Sequence, residues 1–214
     1  MAHTIYKTKE GKRVSSVTTI IGNNLGWNFY PLLNWNLKLL KQGVDPKEEL
    51  RSAGRTGTLA HNMIEQFTIG GRVQNLDTYS PTEISQAKQA YYNYLDFKND
   101  YQPEILHSEL QMVSEKYKFG GTCDAVAKVK IGKNTKLMIL DWKSSNSIHS
   151  EHKIQISAYA KMYEENTGEK IKGALIVRID KEKKEYQVEH LKIKDLNWGW
   201  KVFKLLLKIQ ENKR

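Results

Sequence analysis

The chain has 214 residues and a net charge of +10, with 34 Lys plus Arg against 24 Asp plus Glu. That is length for one sizeable core and a charge that favours a polyanionic partner such as nucleic acid. A single cysteine, Cys123, excludes an internal disulfide and a four-cysteine zinc or iron–sulfur site within the chain; no stretch approaches the ~20 apolar residues of a membrane span, and the opening Met-Ala-His-Thr-Ile-Tyr-Lys lacks the apolar core of a signal peptide, so a cytoplasmic, soluble protein is expected.

In chain order, residues 6–21 predict a short hairpin turning at 10–12, its second strand continuing through Val14, Val17 and the β-branched Thr18, Thr19, Ile20 and Ile21. Residues 27–40 predict a helix with Leu32, Trp35 and Leu39 on one stripe and Pro31 in its first turn. Another helix lies within 48–67, where Gly54 and Gly57 place the start of its regular part near Thr58. Ser80-Pro81-Thr82-Glu83 is a capping-box pattern, and Ile84, Ala87, Tyr91 and Leu95 follow at spacings of three and four.

Strands are expected at 104–113, 118–131 and 136–142, the last two joined by a turn at 132–134. A helix over 151–165 buries Ile154, Ala158 and Met162 and stops before Gly168. A hairpin of 174–179 and 185–191 follows, and a helix over 195–210 closes the chain with Trp198, Val202, Leu205, Leu206 and Ile209 inside. This order predicts an α/β fold, a mixed central sheet flanked by helices, in one domain over 1–214 with a helical N-terminal part. The run 137–140, apolar throughout, reads as a central strand covered on both faces.

Chemistry concentrates at the end of that run. Asp141 and Lys143, two apart, share one face of their strand, and Asp124 lies in the strand before it. Asp and Lys are poor strand formers and costly to bury, so their placement calls for a cause beyond folding. A metal ion held by both carboxylates, with the lysine beside an attacking water, is such a cause. Gln155 and Tyr159, four apart on the next helix, project from one face toward the same place. His149, His152 and Cys123 make a poor zinc set, because no fourth ligand is evident.

Gly-Gly-Thr-Cys-Asp at 120–124 followed by Asp-Trp-Lys at 141–143 resembles the PD-(D/E)XK nuclease superfamily, with Cys123 where the name-giving proline stands. Gln155-x-x-x-Tyr159 is similar to the signature after the catalytic lysine in RecB-type nucleases. Gly57-Thr58-Leu59-Ala60-His61 is similar to the Gly-Thr-x-x-His segment upstream of the core motifs. Val14-Ser15-Ser16-Val17-Thr18-Thr19-Ile20-Ile21 looks like a segment of phage and mitochondrial genome-maintenance exonucleases.

The resemblance implies a restriction-endonuclease-like fold and a metal-dependent deoxyribonuclease. It makes Asp124, Asp141, Lys143, Gln155 and Tyr159 catalytic, and His61, Asp124, Asp141 and the carbonyl of Trp142 ligands of Mg²⁺ or Mn²⁺. An imidazole among carboxylates suits Mn²⁺ better. Glu109 is the upstream acid, a secondary ligand, and Glu65 either orients His61 or is a surface glutamate. The implied substrate is linear DNA with a free, single-stranded end, and replication or recombination proteins are possible partners. A structure-selective or nicking endonuclease and a non-catalytic DNA-binding subunit are the alternatives. Lys201, Lys204 and Lys208 could grip phosphates, and Trp27, Phe29, Tyr30 and Trp35 could stack bases, although a solvated face and core packing are the plainer readings.

Overall fold

A computed structural model describes residues 4–213; Met1, Ala2 and His3, at the head of the segment read for a signal peptide, and Arg214 lie outside the described residues. The strands are β1 (Tyr6–Lys7), β2 (Arg13–Ser16), β3 (Glu104–Ser114), β4 (Phe119–Ile131), β5 (Asn134–Lys143), β6 (Ala174–Ile179) and β7 (Tyr186–Leu191). They form one mixed sheet in the order β1-β2-β4-β5-β6-β7, with β3 against the other edge of β4. The β2–β4 and β5–β6 pairs are parallel and the rest antiparallel. β5 is central, and Ile139 and Leu140 are fully buried on opposite faces, as its apolar run required.

Among the described residues six α-helices flank the sheet: α1 (Val17–Asn24), α2 (Phe29–Lys41), α3 (Pro46–Ile69), α4 (Pro81–Tyr101), α5 (Ser150–Thr167) and α6 (Ile193–Glu211). α1, α5 and α6 cover one face, where Ile20, Ile154, Met162 and Phe203 pack on Val126 and Ile139. α3 and α4 cover the other, where Leu59, Ile64, Tyr94 and Phe97 pack on Ala127, Leu140 and Trp142. α4 begins with the expected capping box, Ser80 Oγ accepting from Glu83 N and Glu83 Oε2 from Ser80 N. Among the described residues no helix is long and apolar enough to cross a membrane.

Four local expectations are corrected. The β-branched run from Val17 is helical because Ser16, in extended backbone, caps it: its Oγ accepts from Thr19 N at 3.1 Å. Burial of Val17, Ile20 and Ile21 at helical spacing then outweighs their strand propensity. α3 runs unbroken through Gly54 and Gly57 to a Gly70 cap, since a Cβ at Gly57 would come within 2.9 Å of Ser144 Oγ and the glycine lets the helix pass the end of β5. On α6 the buried side is Leu196, Phe203, Leu206 and Leu207, while Trp198, Leu205 and Ile209 are exposed; Gly199 sets this rotation because any side chain there would strike Ser157 and the Lys153 carbonyl of α5. α2 buries no residue, and Trp27, Phe29 and Tyr30 are exposed rather than core.

One feature of the sheet positions the site. β4 changes partners along its length, pairing with β2 at Phe119 and Gly120 and with β5 only from Ala125 onward. Between them β4 leaves one side open over Gly121 to Asp124. Its side-chain alternation also slips there, because Cys123 packs in one core and Ala125 in the other although residues two apart in a strand normally share a face. Asp124 lies at the end of this gap in the ladder.

Candidate active site

Asp124 lies where the ladder between β4 and β5 ends. Its Oδ2 accepts from the backbone N–H of Trp142 at 2.7 Å, so a carboxylate takes the place of the next strand partner. The neighbouring pairs are Ser108 with Ala125, Leu110 with Cys123, and Ala125 with Leu140. Extending that register by one residue sets Glu109, Asp124 and Asp141 side by side across β3, β4 and β5. Like charges directly opposite destabilise a sheet, so this row calls for a cation. Glu109 also has φ +47°, a left-handed backbone rare outside glycine that costs on the order of 1–3 kcal/mol.

His61 reaches this row from α3. Its Nε2 is 3.1 Å from the Trp142 carbonyl oxygen, which can only accept, so Nε2 carries hydrogen. Nδ1 then faces the acids, 3.5 Å from Asp124 Oδ1 and 3.9 Å from Glu109 Oε1. Burial disfavours the charged ring, but the Asp124 and Glu109 carboxylates outweigh it and push the imidazole up to about 10. Burial likewise raises Glu109, only partly offset by His61, whereas Asp124 is lowered because His61 and Lys143 overcome its burial.

Asp141 and Lys143 do share a face, as their spacing required. Asp141 is 1% exposed, and Lys143 Nζ stands 2.8 Å from its Oδ2. Both Asp141 oxygens are buried, and the Lys143 ammonium is the cation that faces them. Burial pushes Asp141 up to about 6 against the pull of Lys143. Lys143 is raised despite its burial, because it faces Asp124 as well as Asp141, and the same Asp124 charge works against Asp141.

Gln155 and Tyr159 extend this pair along α5. Lys143 Nζ donates to Gln155 Oε1 at 3.2 Å, and Gln155 Nε2 donates to Tyr159 Oη at 3.0 Å. Tyr159 is buried over Gly121, where a Cβ would come within 2.7 Å of its Cε1. Gly120 makes room for Tyr6, whose hydroxyl bonds Thr122 Oγ1 at 2.8 Å. The Gly-Gly-Thr run thus has a packing cause at every position.

The donor set fits a divalent cation. His61, Glu109 and Asp124 offer one nitrogen and two carboxylate oxygens within 4.8 Å of one another, with the buried carboxylate of Asp141 along the same row. Glu109, expected as a secondary ligand, lies within this cluster; Asp141 stands beside it, and the Trp142 carbonyl faces His61. Strand register, not sequence spacing, brings Glu109 level with Asp124. Glu65 acts on Glu109 through its charge and makes no hydrogen bond or salt bridge with His61 among the described residues. His149 and Cys123 do not combine with His152: Cys123 is in the core and His152 Nδ1 accepts from the His149 backbone at 3.2 Å.

A family model described as the PD-(D/E)XK nuclease superfamily matches residues 32–211. No curated protein sequence gives a match. Among solved structures, a "Putative exonuclease" from Eubacterium rectale is similar at 12% identity and TM-score 0.49, over 74% of this chain and 69% of that one. An alkaline exonuclease from Laribacter hongkongensis is similar at 11% identity and TM-score 0.34, over 72% of this chain and 79% of that one.

Proposed function

The chain belongs to the PD-(D/E)XK nuclease superfamily, and we propose that it is a one-domain, metal-dependent deoxyribonuclease that hydrolyses linear DNA from single-stranded ends. The observation that carries this reading is the meeting of the His61–Glu109–Asp124 donor cluster with the Asp141–Lys143 pair where the ladder between β4 and β5 ends. A buried carboxylate with one ammonium against it is costly unless a further cation or hydrogen bonds compensate.

His61 Nδ1, Asp124 and Glu109, with Asp141 beside them, would hold Mg²⁺ or Mn²⁺, whose chemistry is to polarise the scissile phosphate and acidify the attacking water. Lys143 acts electrostatically. Asp141 and Asp124 hold it charged, so it offers hydrogens to a phosphate oxygen as charge builds there. Gln155, held by Tyr159, fixes where the ammonium points. The Trp142 carbonyl fixes the tautomer of His61 and so which nitrogen faces the cluster.

Closed circular DNA separates the two nuclease readings. Incubated with Mg²⁺ or Mn²⁺, the protein should digest end-labelled linear DNA and leave closed circles intact. Cutting of circles would make it an endonuclease, and digestion in EDTA would remove metal from the account.

A further inference from the structure

Beside Lys143 a groove of about 680 Å³ runs between α5 and the α1–α2 corner. Lys143 and Gln155 form its inner end, Ile21, Leu25 and Leu32 give it an apolar floor, and Phe29 stands at its rim. Phe29 is 63% exposed and Tyr30 meets it edge to face at 5.3 Å. Trp27 stacks on Trp198 at 6.3 Å just outside, both exposed. Exposed aromatic rings packed on one another beside an open apolar floor lose nothing by taking a flat, apolar guest.

The groove's polar groups suit that guest. Asn28 also lines it, and the carboxylate of Glu151 is engaged by the Asn28 amide, which ties the start of α2 to α5. Nearby His152, buried and beside Lys143, is lowered to about 3 and stays neutral, so Lys143 is the ammonium at the inner end. A nucleotide has the matching parts: a phosphate for Lys143 and a base for the apolar floor and Phe29.

We infer that this groove binds the unpaired nucleobases next to the scissile phosphate, with Phe29 as their stacking platform. The inference rests on the nuclease reading for the place of the phosphate at Lys143. A paired base is held within its duplex stack and cannot enter a slot walled by α2 and α5, so the groove selects single-stranded DNA. Phe29 and the α2 arm would therefore set strand preference while leaving the chemistry to Lys143 and the acids.

The test uses the full chain in EDTA with single-stranded oligonucleotides carrying 2-aminopurine near one end. An abasic strand of equal length is the control, and cleavage in Mn²⁺ is followed in parallel. Stacking should quench 2-aminopurine on binding, and the abasic strand should bind about tenfold or more weakly. Phe29→Ala should abolish the quench and bind both strands alike, while Phe29→Tyr should restore it. Equal quenching by wild type and Phe29→Ala, or equal wild-type affinity for both strands, would overturn the inference. Base-dependent binding with no cleavage in Mn²⁺ would support the groove and refute the nuclease reading instead.

Discussion

His61 Nε2 lies 3.1 Å from the carbonyl oxygen of Trp142, joining α3 to the strand that carries Asp141 and Lys143. Since a carbonyl only accepts, this contact decides the tautomer and turns Nδ1 toward Asp124 and Glu109. His61→Ala should therefore weaken Mn²⁺ binding by about 100-fold while Mg²⁺, which prefers oxygen, loses less. Calorimetry with both ions checks this, and equal affinity of variant and wild type would leave His61 a structural residue.

Metal binding should also displace a proton. The two carboxylates hold the His61 ring charged up to about 10, and a cation can use Nδ1 only after its proton leaves. Between pH 6 and 9 the apparent Mn²⁺ affinity should rise about tenfold per pH unit. Calorimetry in two buffers of different ionisation enthalpy should show release of about one proton at pH 7. A pH-independent affinity would contradict the placement of Nδ1 at the ion.

Lys143 is predicted to serve turnover more than metal binding. Lys143→Ala should lower kcat by roughly 10²–10³, with Mn²⁺ affinity unchanged or increased, because a cation facing Asp124 and Asp141 is removed. Lys143→Arg should not rescue, since a planar guanidinium cannot replace a compact ammonium between Asp141 and Gln155. An unchanged kcat in Lys143→Ala would take the residue out of the mechanism.

Gly121 gives a test of the support behind Lys143. Gly121→Ala puts a methyl within 2.7 Å of the Tyr159 ring, an overpacking of about 1–3 kcal/mol. Denaturant melts should register that loss. Tyr159→Phe keeps the packing and loses only the contact to Gln155, so it should stay nearly as stable yet turn over more slowly. If Tyr159→Phe is as active as wild type, the α5 chain does not position Lys143.

Much of this arrangement was legible in the residues. Ser80-Pro81-Thr82-Glu83 announced α4 because a capping box is a local device, and the apolar run before Asp141 announced a central strand because no surface strand tolerates it. What stayed hidden depended on contacts distant in sequence. Val17, Ile20 and Ile21 look like strand until the sheet presents a surface for a helix to cover. Gly57 looks like a break until Ser144 is seen against it. The row Glu109, Asp124, Asp141 appears only once the registers of β3, β4 and β5 are known. The exposure of Phe29 and Tyr30 has no local signal, since aromatic residues at helical spacing read first as core.

The most direct test of the metal-dependent site is single-turnover cleavage of end-labelled single-stranded DNA in Mn²⁺ by wild type and Asp141→Asn, with DNA affinity measured separately in EDTA. Asn keeps the volume of a side chain that is 1% exposed, removes its charge and leaves one oxygen to face Lys143, so the variant should fold. Loss of cleavage to below detection with DNA binding intact is the predicted result. Cleavage at a rate near that of wild type would place the chemistry elsewhere in the protein.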